Sequence, residues 1–420
     1  MAREAMNLLF IHNNFPGQFL DLAPYLARHA ADRTVFLTQS DNPQGIDLAG
    51  VKLVKFALHR QPADGVHSYL RPSEEAVLRG QAVLRAVLKL SEQGFTPDVA
   101  VVHGGEGFGL YLKTLLPKLR LISYMEWYFR PETSRYLYAG FDINDSLSTQ
   151  TRNWPILQEL VEADVIVSPT AWQRQQFPQP WCEQIKVIFD GVDTNLFRPS
   201  QTQSKSLLSL KSGTNGQVIE IPDSVPLLTY ATRGMEPLRG FPEFLRAAAY
   251  AQQQLPNLHV VVAGDDRIAY SYGSQHKSGS WKHQLLEELK DQLGLTRLHF
   301  PGLINYGELV QLFQRSDLHC YFTRPYVISW GLFQAAACGS PVLVNRFPGV
   351  EDVFRDLQRV TLVDLDDQVG LNQQVVRALQ IPVQEQPISN LRQGLDLTLA
   401  RIAWRDLILN NQAHRLPQAR

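Results

Sequence analysis

Residues 335–345 read AAACGSPVLVN, a run of small residues, a glycine and an apolar stretch, Pro341–Asn345, that is typical of a buried parallel strand. Comparable apolar runs precede it, and amphipathic segments separate them. This alternation predicts parallel strands covered by helices on both faces, the pattern of an α/β domain. The other runs of this set are Pro226–Ala231, His259–Ala263, Leu298–Phe300 and Leu318–Phe322.

The first half of the chain shows the same alternation, which predicts a second, separate doubly wound sheet. Between the two sets, residues 200–222 are rich in Ser, Gln and Gly, the composition of a flexible connection. The sequence therefore predicts a first domain over residues 1–199, a linker over 200–222 and a second domain over 223–390. The strand-like runs of the first domain are Asn7–His12, Thr34–Thr38, Val99–His103, Leu119–Tyr124, Val165–Ser168 and Lys186–Phe189.

Composition excludes several classes of protein. The 420 residues include 40 Lys and Arg against 41 Asp and Glu, a net charge of −1, which argues against nucleic-acid binding by phosphate neutralisation. Three cysteines without a CxxC pair support neither a disulfide framework nor a structural zinc site. No apolar run reaches the roughly 18 residues of a membrane span, and the start lacks a signal-peptide core. We expect a cytoplasmic protein.

Ligands of open α/β sheets bind beyond the carboxyl ends of the strands, so the loops after strands are the candidate binding regions. After the first predicted strand, residues 13–19 read NNFPGQF. Gly17 there either lets the backbone approach a ligand at a helix N-terminus or forms a tight turn. Residues 103–109, HGGEGFG, also follow a strand, but their spacing is not the GxGxxG of dinucleotide-binding folds, so no nicotinamide cofactor is expected.

Acidic residues follow two strands of the second domain. Asp364 and Asp366 form a DxD tripeptide, which in some sugar-nucleotide enzymes holds a divalent cation. Its polar surroundings favour a solvated loop, and we predict no metal site. Asp265 and Asp266 follow the run that ends at Ala263, and they either contact ligand hydroxyls or cap the next element.

Two arginines, Arg233 and Arg239, lie six residues apart where residues 230–241, YATRGMEPLRGF, leave a predicted strand. Each guanidinium offers forked donors and a permanent positive charge, which suit a diphosphate. Two exposed arginines alone are more often surface residues. Their position among the motifs that follow favours a binding role.

Five ordered motifs resemble those of the glycosyltransferase family 4 enzymes, over most of the chain and most strongly between residues 186 and 353. Phe189–Pro199, FDGVDTNLFRP, matches NGVDxxxFxP with Asp190 in place of the usual Asn. Arg233–Gly240 matches the GR…KG segment, with Arg239 at the lysine position. The other matches are Phe300–Gly302 with residues 309–317 to the FxG segment and its helix, Ala335–Val344 to EAMAxGxPVV, and Pro348–Val353 to the GGVPE loop.

The resemblance implies a GT-B fold, in which two Rossmann-like doubly wound domains face a central cleft and a final helix within residues 391–420 crosses back to the first domain. It implies a retaining glycosyltransferase that needs no metal or other cofactor. The second domain would bind a UDP- or GDP-sugar, and the first an acceptor that is a glycan, a lipid or a small molecule. Arg233 and Arg239 would hold the donor pyrophosphate and stabilise the leaving nucleotide. Further donor-binding candidates are Gly17, Gly264 and Asp265.

Besides Asp190 and Arg239, three side chains that the family has at its site, two glutamates and a histidine, are absent from this chain. The two family glutamates eight residues apart, one near the donor sugar and one facing the ribose, are replaced by Tyr326 and Gln334. An amide oxygen still accepts a hydrogen bond, so Gln334 remains a donor-binding candidate, and Tyr326 stands at the other position. The family's histidine after a first-domain strand has no counterpart in residues 123–127, where Glu126 is either catalytic or a structural acceptor among aromatic residues.

Three functions stay open. The leading hypothesis is a retaining glycosyltransferase. The second is a protein that kept the fold and binds a sugar nucleotide or a partner without catalysis, and the third is another GT-B enzyme, such as an epimerase or a phosphorylase. Lys113, Lys118 and Arg120 beside an aromatic segment, residues 124–129, are either a contact with an anionic membrane or a solvated helix face followed by buried rings.

Overall fold

The computed structural model divides into two compact units. The first comprises the described residues up to Ser134, Asp142–Gly191 and the described residues from Thr398 onward, and the second comprises Arg135–Phe141 and Val192–Leu397. The structure describes residues 6–41, 45–138, 140–201, 205–213, 216–271, 279–354, 359–381 and 394–409.

The first unit is built on a parallel sheet, and its described strands have the order β3-β2-β1-β4-β5-β6-β7. Because strands β1, β4 and β5 are neighbours, the loops after them meet at one edge of the sheet. The strands are β1 Asn7–Ile11, β2 Arg33–Thr38, β3 Val51–Lys55, β4 Val99–His103, β5 Arg120–Tyr124, β6 Val165–Ser168 and β7 Lys186–Val187.

Both faces of this sheet are covered, which explains why β1 is apolar at successive positions. Leu8 and Phe10 pack into the core on one face, while Leu9 and Ile11 pack into the core on the other. The helices of the first unit are α1 Leu22–His29, α2 Arg71–Glu92, α3 Leu112–Leu115, α4 Pro131–Ser134, α5 Ile143–Arg152, α6 Trp154–Glu162, α7 Ala171–Arg174, α8 Trp181–Gln184 and, at the end of the chain, α15 Leu397–Leu409.

The second unit is built on another parallel sheet, with its described strands in the order β12-β11-β10-β13-β14-β15. Its strands are β10 Leu227–Gly234, β11 His259–Asp265, β12 Leu298–Gly302, β13 Leu318–Tyr321, β14 Val342–Asn345 and β15 Val360–Val363. Its helices are α9 Phe241–Gln254, α10 Trp281–Glu288, α11 Tyr306–Arg315, α12 Trp330–Ala337, α13 Pro348–Phe354 and α14 Gln368–Gln380.

The predicted linker, residues 200–222, is wrong in one respect, because it contains two strands. Strands β8, Leu208–Lys211, and β9, Val218–Ile221, pair antiparallel. Leu208 and Leu210 alternate with exposed residues and pack into a core of the second unit together with Ile221. The polar composition of the whole segment concealed this period-two pattern, which is that of a half-buried strand. Residues 202–204 and 214–215 lie outside the described part.

The last described helix, α15, belongs to the first unit. Trp404, Leu407 and Ile408 are buried in the same core as strand β1, and each such side chain contributes about 1.5–3 kcal/mol by leaving water. Arg401 forms an ion pair with Asp21. Of the final segment predicted to return to this domain, residues 391–393 and 410–420 lie outside the described residues.

Candidate active site

Three polar side chains meet at the carboxyl ends of the neighbouring strands β1, β4 and β5. His12 follows β1, His103 ends β4 and Glu126 lies two residues after β5. The rings of His12 and His103 have centroids 4.2 Å apart, and Nε2 of His103 lies 3.2 Å from Oε2 of Glu126. Glu126 was predicted from the sequence, whereas the two histidines beside it were not.

A chain of hydrogen bonds connects these groups. The backbone N–H of Asn14 donates to Nδ1 of His12 at 2.9 Å, so Nδ1 is an acceptor and the proton of a neutral ring lies on Nε2. Nε2 then donates to Oε1 of Gln18 at 2.5 Å, and the Gln18 amide donates to Oε1 of Glu126 at 2.7 Å. Both oxygens of Glu126 are therefore occupied, one by Gln18 and one by His103, which fixes the orientation of the carboxylate.

The two histidines differ in their affinity for a proton. Burial, followed by the charge of His103, lowers the pKa of His12 well below its ordinary value. Burial also lowers the pKa of His103, but the hydrogen bond and charge of Glu126, with the charges of Glu106 and Glu159, reverse this effect and raise it. The site thus keeps His12 neutral and favours a protonated His103 against the Glu126 carboxylate.

Gly17 lies beside this network for a steric reason that the sequence does not reveal. Its φ is +52°, and a Cβ built on it would lie 2.5 Å from Nε2 of His12. Any other residue would displace the His12 ring and strain the backbone. The structure brings Gly17, predicted to contact the donor, together with His12, and the predicted turn is the short helix Gly17–Phe19.

The glycine-rich loop after β4 is held by one buried carboxylate. Glu159 on α6 accepts hydrogen bonds from the backbone N–H groups of Gly105 and, at 2.8 Å, Gly109. Burial raises the pKa of Glu159 to about 7, although these bonds oppose the rise. The same loop carries Glu106, whose Oε1 lies 3.6 Å from Nδ1 of His103. The loop therefore positions the Glu106 carboxylate beside the histidine.

In the second unit the two predicted arginines occupy different environments. Arg233 lies near the carboxyl end of β10 and is exposed. Arg239 is only 4% exposed, and its NH1 donates to Oγ1 of Thr323 at 2.7 Å and to the carbonyl of Val327 at 2.9 Å. Arg239 is thus a fixed cation within the domain, while Arg233 is open to a ligand.

Tyr270 connects Arg239 to Tyr326. The Arg239 guanidinium lies 4.5 Å from the centroid of the Tyr270 ring, and the Tyr270 and Tyr326 rings meet edge to face at 6.1 Å. Buried Glu236 fixes the Tyr270 loop by accepting its backbone N–H at 3.1 Å and that of Ser271 at 2.9 Å. Tyr326 therefore packs against the cation-bearing region of the site, at the position where the family has a carboxylate.

Gly264 and Asp265 end strand β11 next to β10. Gly264 has a φ of +136°, and a Cβ there would lie 2.0 Å from the carbonyl oxygen of Thr232, so only glycine lets the two strands approach this closely. The Asp265 carboxylate pairs with Arg267 at 3.2 Å, and its carbonyl accepts from Met235. Both predicted residues lie at the edge that Arg233 shares.

Gln334 is carried by helix α12. It lies half-buried on this helix, which begins after the N-cap Ser329, and within the described contacts its side chain bonds to none of the other predicted site residues.

Asp366 of the DxD tripeptide forms an ion pair with Arg324. No group of three or more His, Cys, Asp or Glu side chains in the described part of the chain is placed to hold a metal ion.

The segment around Lys113, Lys118 and Arg120 was given two alternatives, a membrane contact or a solvated helix face followed by buried rings, and the burial of its rings supports the second. Lys113 is bound to Asp164 at 2.7 Å, and Arg120 donates to the carbonyl of Ile408. Tyr124 and Trp127 are 1% and 6% exposed, so these aromatic side chains belong to the core. Among the described helices, none has the length and apolar character that crossing a bilayer requires.

The residues missed by sequence reasoning share one signal. His12 and His103 each stand at the end of an apolar run, and parallel strands bring such positions to one edge of a sheet. Tyr124 at the end of β5 follows the same rule and donates to Oδ1 of Asp190 at 2.7 Å, which uses the aspartate that replaces the usual asparagine. Reading strand ends together, rather than loop motifs singly, would have found this cluster.

The sequence of this chain matches two glycosyltransferase family models and is similar to a curated protein. Residues 30–197 match the family described as Glycosyl transferase family 4 group, and residues 215–393 match the one described as Glycosyl transferases group 1. D-inositol 3-phosphate glycosyltransferase of Thermomonospora curvata is 26% identical over 211 residues, which are 49% of this chain and 46% of that protein. The chain thus spans about half the length of this curated relative.

Solved structures show the fold. Sucrose-phosphate synthase from Thermosynechococcus elongatus has a TM-score of 0.70 at 15% identity, covering 96% of this chain and 98% of that chain. Anabaena HepE, solved in complex with UDP and glucose, has a TM-score of 0.64 at 15% identity, covering 96% of this chain and 99% of that chain. The predicted GT-B class of two Rossmann-like α/β domains is confirmed.

Proposed function

This chain belongs to the group 1 glycosyltransferases of family 4, and from that premise we propose that it transfers a sugar from a nucleotide-sugar donor to an acceptor, with retention of anomeric configuration and without a metal ion. The second unit would bind the donor, a UDP- or GDP-sugar. The first unit would bind the acceptor. The finer parts of this proposal rest on the two polar clusters, one in each unit.

The arrangement of Arg233 and Arg239 carries the proposal. A departing nucleoside diphosphate gains negative charge in the transition state, and a preorganised cation stabilises that charge without reorganising. Arg239 meets this need because Thr323, Val327 and Tyr270 hold its guanidinium in place before any ligand arrives. Arg233, exposed near the carboxyl end of β10, the strand that leads into the Arg239 turn, supplies a second cation to the same edge. These permanent charges would stabilise the leaving diphosphate in place of a divalent ion.

Glu126 is the proposed contact for the acceptor hydroxyl in the first unit. Gln18 and His103 hold its two oxygens at 2.7 and 3.2 Å, so the carboxylate has one orientation. A hydroxyl that approaches it would find an acceptor beside His103, whose protonated form the Glu126 carboxylate favours. His12, neutral and buried, positions Gln18 and so acts through it.

The test is a two-stage screen. Thermal shift against UDP- and GDP-sugars should identify one donor, since a ligand present at 100 times its Kd stabilises a protein by about 2.7 kcal/mol. Incubation of that donor with candidate acceptors should then release nucleoside diphosphate, and NMR of the product should show the anomeric configuration of the donor. An inverted product or an absolute requirement for metal would contradict the corresponding part of the proposal.

A second candidate, a protein that binds the donor without transferring its sugar, is favoured by one observation. Tyr326 packs edge to face on Tyr270 where the family has a carboxylate near the donor sugar. Calorimetry distinguishes the two candidates. Donor binding with no nucleotide release in the presence of a broad acceptor extract would support the second candidate, and release would exclude it.

A further inference from the structure

A cavity lies in the first unit, and its lining includes none of the residues of the cluster around Glu126. Its volume is about 450 Å³, within the range of small-molecule sites, and it opens among the segment after β5, helices α5 and α6, and Pro178. Its lining combines aromatic rings, namely Tyr128, Phe129 and Trp154, with the polar side chains of Glu132 and Gln150. Nothing in the proposed chemistry uses it.

The walls of this cavity are held rigidly. Asn153, which is 2% exposed, binds both backbone groups of Phe129: its Oδ1 accepts the N–H at 2.9 Å and its Nδ2 donates to the carbonyl at 2.7 Å. Arg130 donates to the carbonyls of Gln176 and Phe177 at 2.5 and 3.1 Å. The pocket therefore exists before a ligand binds, which reduces the entropy cost of binding.

The exposed indole of Trp154 defines the ligand chemistry. Trp154 is 56% exposed at the first position of α6, an unusual place for so large an apolar ring. A hexose ring offers an apolar C–H face to such a surface and equatorial hydroxyls to the carboxylate and amide of Glu132 and Gln150. The Glu132 carboxylate in the lining opposes an anion, and Arg130 directs its Nε and one amino group to backbone carbonyls, so the pocket favours a neutral ligand over a phosphorylated one.

The cavity also lies next to the proposed acceptor contact. Tyr128 on its lining is two residues from Glu126, and two residues span at most about 7 Å. The amide of Gln173 donates to the Glu126 carbonyl at 3.0 Å, which anchors the beginning of this segment, as Arg130 anchors its end. A ligand bound against Tyr128 would therefore lie near the segment that carries Glu126.

We propose that this pocket binds a neutral hexose unit of an oligosaccharide acceptor, one or two sugar units away from the hydroxyl that reacts at Glu126. The inference rests on the proposed transfer of a sugar and adds the acceptor class, a neutral oligosaccharide rather than a lipid or a small phosphorylated molecule. Stacking on Trp154 supplies the apolar contact, and Gln150 and Glu132 bind hydroxyls.

The experiment is calorimetry of the full chain with neutral tetrasaccharides of glucose and of mannose at millimolar concentrations. Trp154→Ala should weaken the binding at least tenfold, Gln150→Ala severalfold, and Trp154→Phe less than Trp154→Ala because a ring remains. The matched control is Val161→Ala, which removes another exposed apolar side chain, 59% exposed, from the same helix outside the pocket. It should bind like the wild type.

Two outcomes would overturn the inference: no binding of any of these tetrasaccharides, or equal binding by wild type and Trp154→Ala. Titration of UDP and GDP into the same proteins distinguishes a failure of the pocket inference from a failure of the proposed function. If the wild type bound tetrasaccharide but neither nucleotide, the proposed transferase function would be refuted, while the proposed sugar-binding role of the pocket would stand. Normal nucleotide binding in Trp154→Ala, with lost tetrasaccharide binding, is the expected result.

Discussion

Oε2 of Glu126 lies 3.2 Å from Nε2 of His103, at the carboxyl ends of two neighbouring parallel strands. The contact joins a carboxylate to a buried imidazole whose pKa it raises. Because the other oxygen of Glu126 is bound by Gln18, the pair has a fixed geometry. The first predictions concern this pair.

We predict that Glu126→Gln lowers the pKa of His103, because it removes the charge and the acceptor that raise it against burial. NMR titration of the His103 ring measures this directly. Glu106→Gln is the control: its carboxylate is 3.6 Å from Nδ1 and contributes only charge, so its effect should be smaller. A His103 pKa that is unchanged in Glu126→Gln would contradict the assigned contact.

The same substitution should change the pH dependence of stability. The raised pKa means that the folded state holds the His103 proton more tightly than the unfolded chain. That stabilisation is complete below about 6.5, the ordinary histidine value, and is lost as the pH rises through the higher folded pKa. Urea unfolding of wild type and Glu126→Gln should therefore differ more at pH 6 than at a pH above the folded pKa of His103, where the ring is neutral in both states.

Arg233→Ala and Arg239→Ala should both remove most transfer activity but differ in stability. Each lost charged hydrogen bond costs about 1.5–3 kcal/mol, or roughly 10- to 150-fold in rate. Arg233 is exposed and its loss should leave the thermal midpoint unchanged, whereas Arg239 is buried and its loss leaves Thr323 and Val327 without a donor. Arg246→Ala, on the exposed ion pair with Glu288, is the control. Normal rates in both variants would refute the diphosphate contact.

Activity should persist in excess chelator. The physical reason is that two permanent cations, the buried Arg239 and the exposed Arg233, replace the metal at the leaving diphosphate, and that Asp366 is already paired with Arg324. Release of nucleoside diphosphate is measured before and after addition of EDTA. Complete loss that magnesium or manganese restores would point to Asp364 and Asp366 as metal ligands.

Gln334 tests whether the ribose contact of the family survives. If its amide oxygen accepts from a ribose hydroxyl, Gln334→Ala should weaken binding of the nucleoside diphosphate by about 0.5–1.5 kcal/mol. Gln334→Glu should bind as well or better, because a carboxylate accepts more strongly. Calorimetric titration of the three proteins decides this. Equal affinities would mean that Gln334 only packs on helix α12 and that the ribose is held elsewhere.

The pattern of apolar runs in the sequence was sufficient to predict the α/β fold class and most of the strands. The apolar run at residues 341–345 became strand β14, and that at 7–12 became β1, because strands buried on both faces must be apolar at successive positions. The spacing of Arg233 and Arg239 predicted a cationic loop after a strand, whereas Arg233 lies within β10 and Arg239 in the short turn Pro237–Arg239 that follows it. Composition misled at residues 200–222, where a short alternating pattern within a polar segment forms the β8 and β9 pair.

The burial of individual site residues, and the proximity of residues far apart in the sequence, are decided only by tertiary packing. No local pattern shows that Arg239 would be enclosed by Thr323 and Tyr270 while Arg233 stays exposed. Gln18 and Glu126 are 108 residues apart in sequence and yet are joined by a hydrogen bond, because strand order places β1 beside β4 and β4 beside β5. Sequence predicts which residues end strands, but the order of strands in the sheet decides which of those ends share one site.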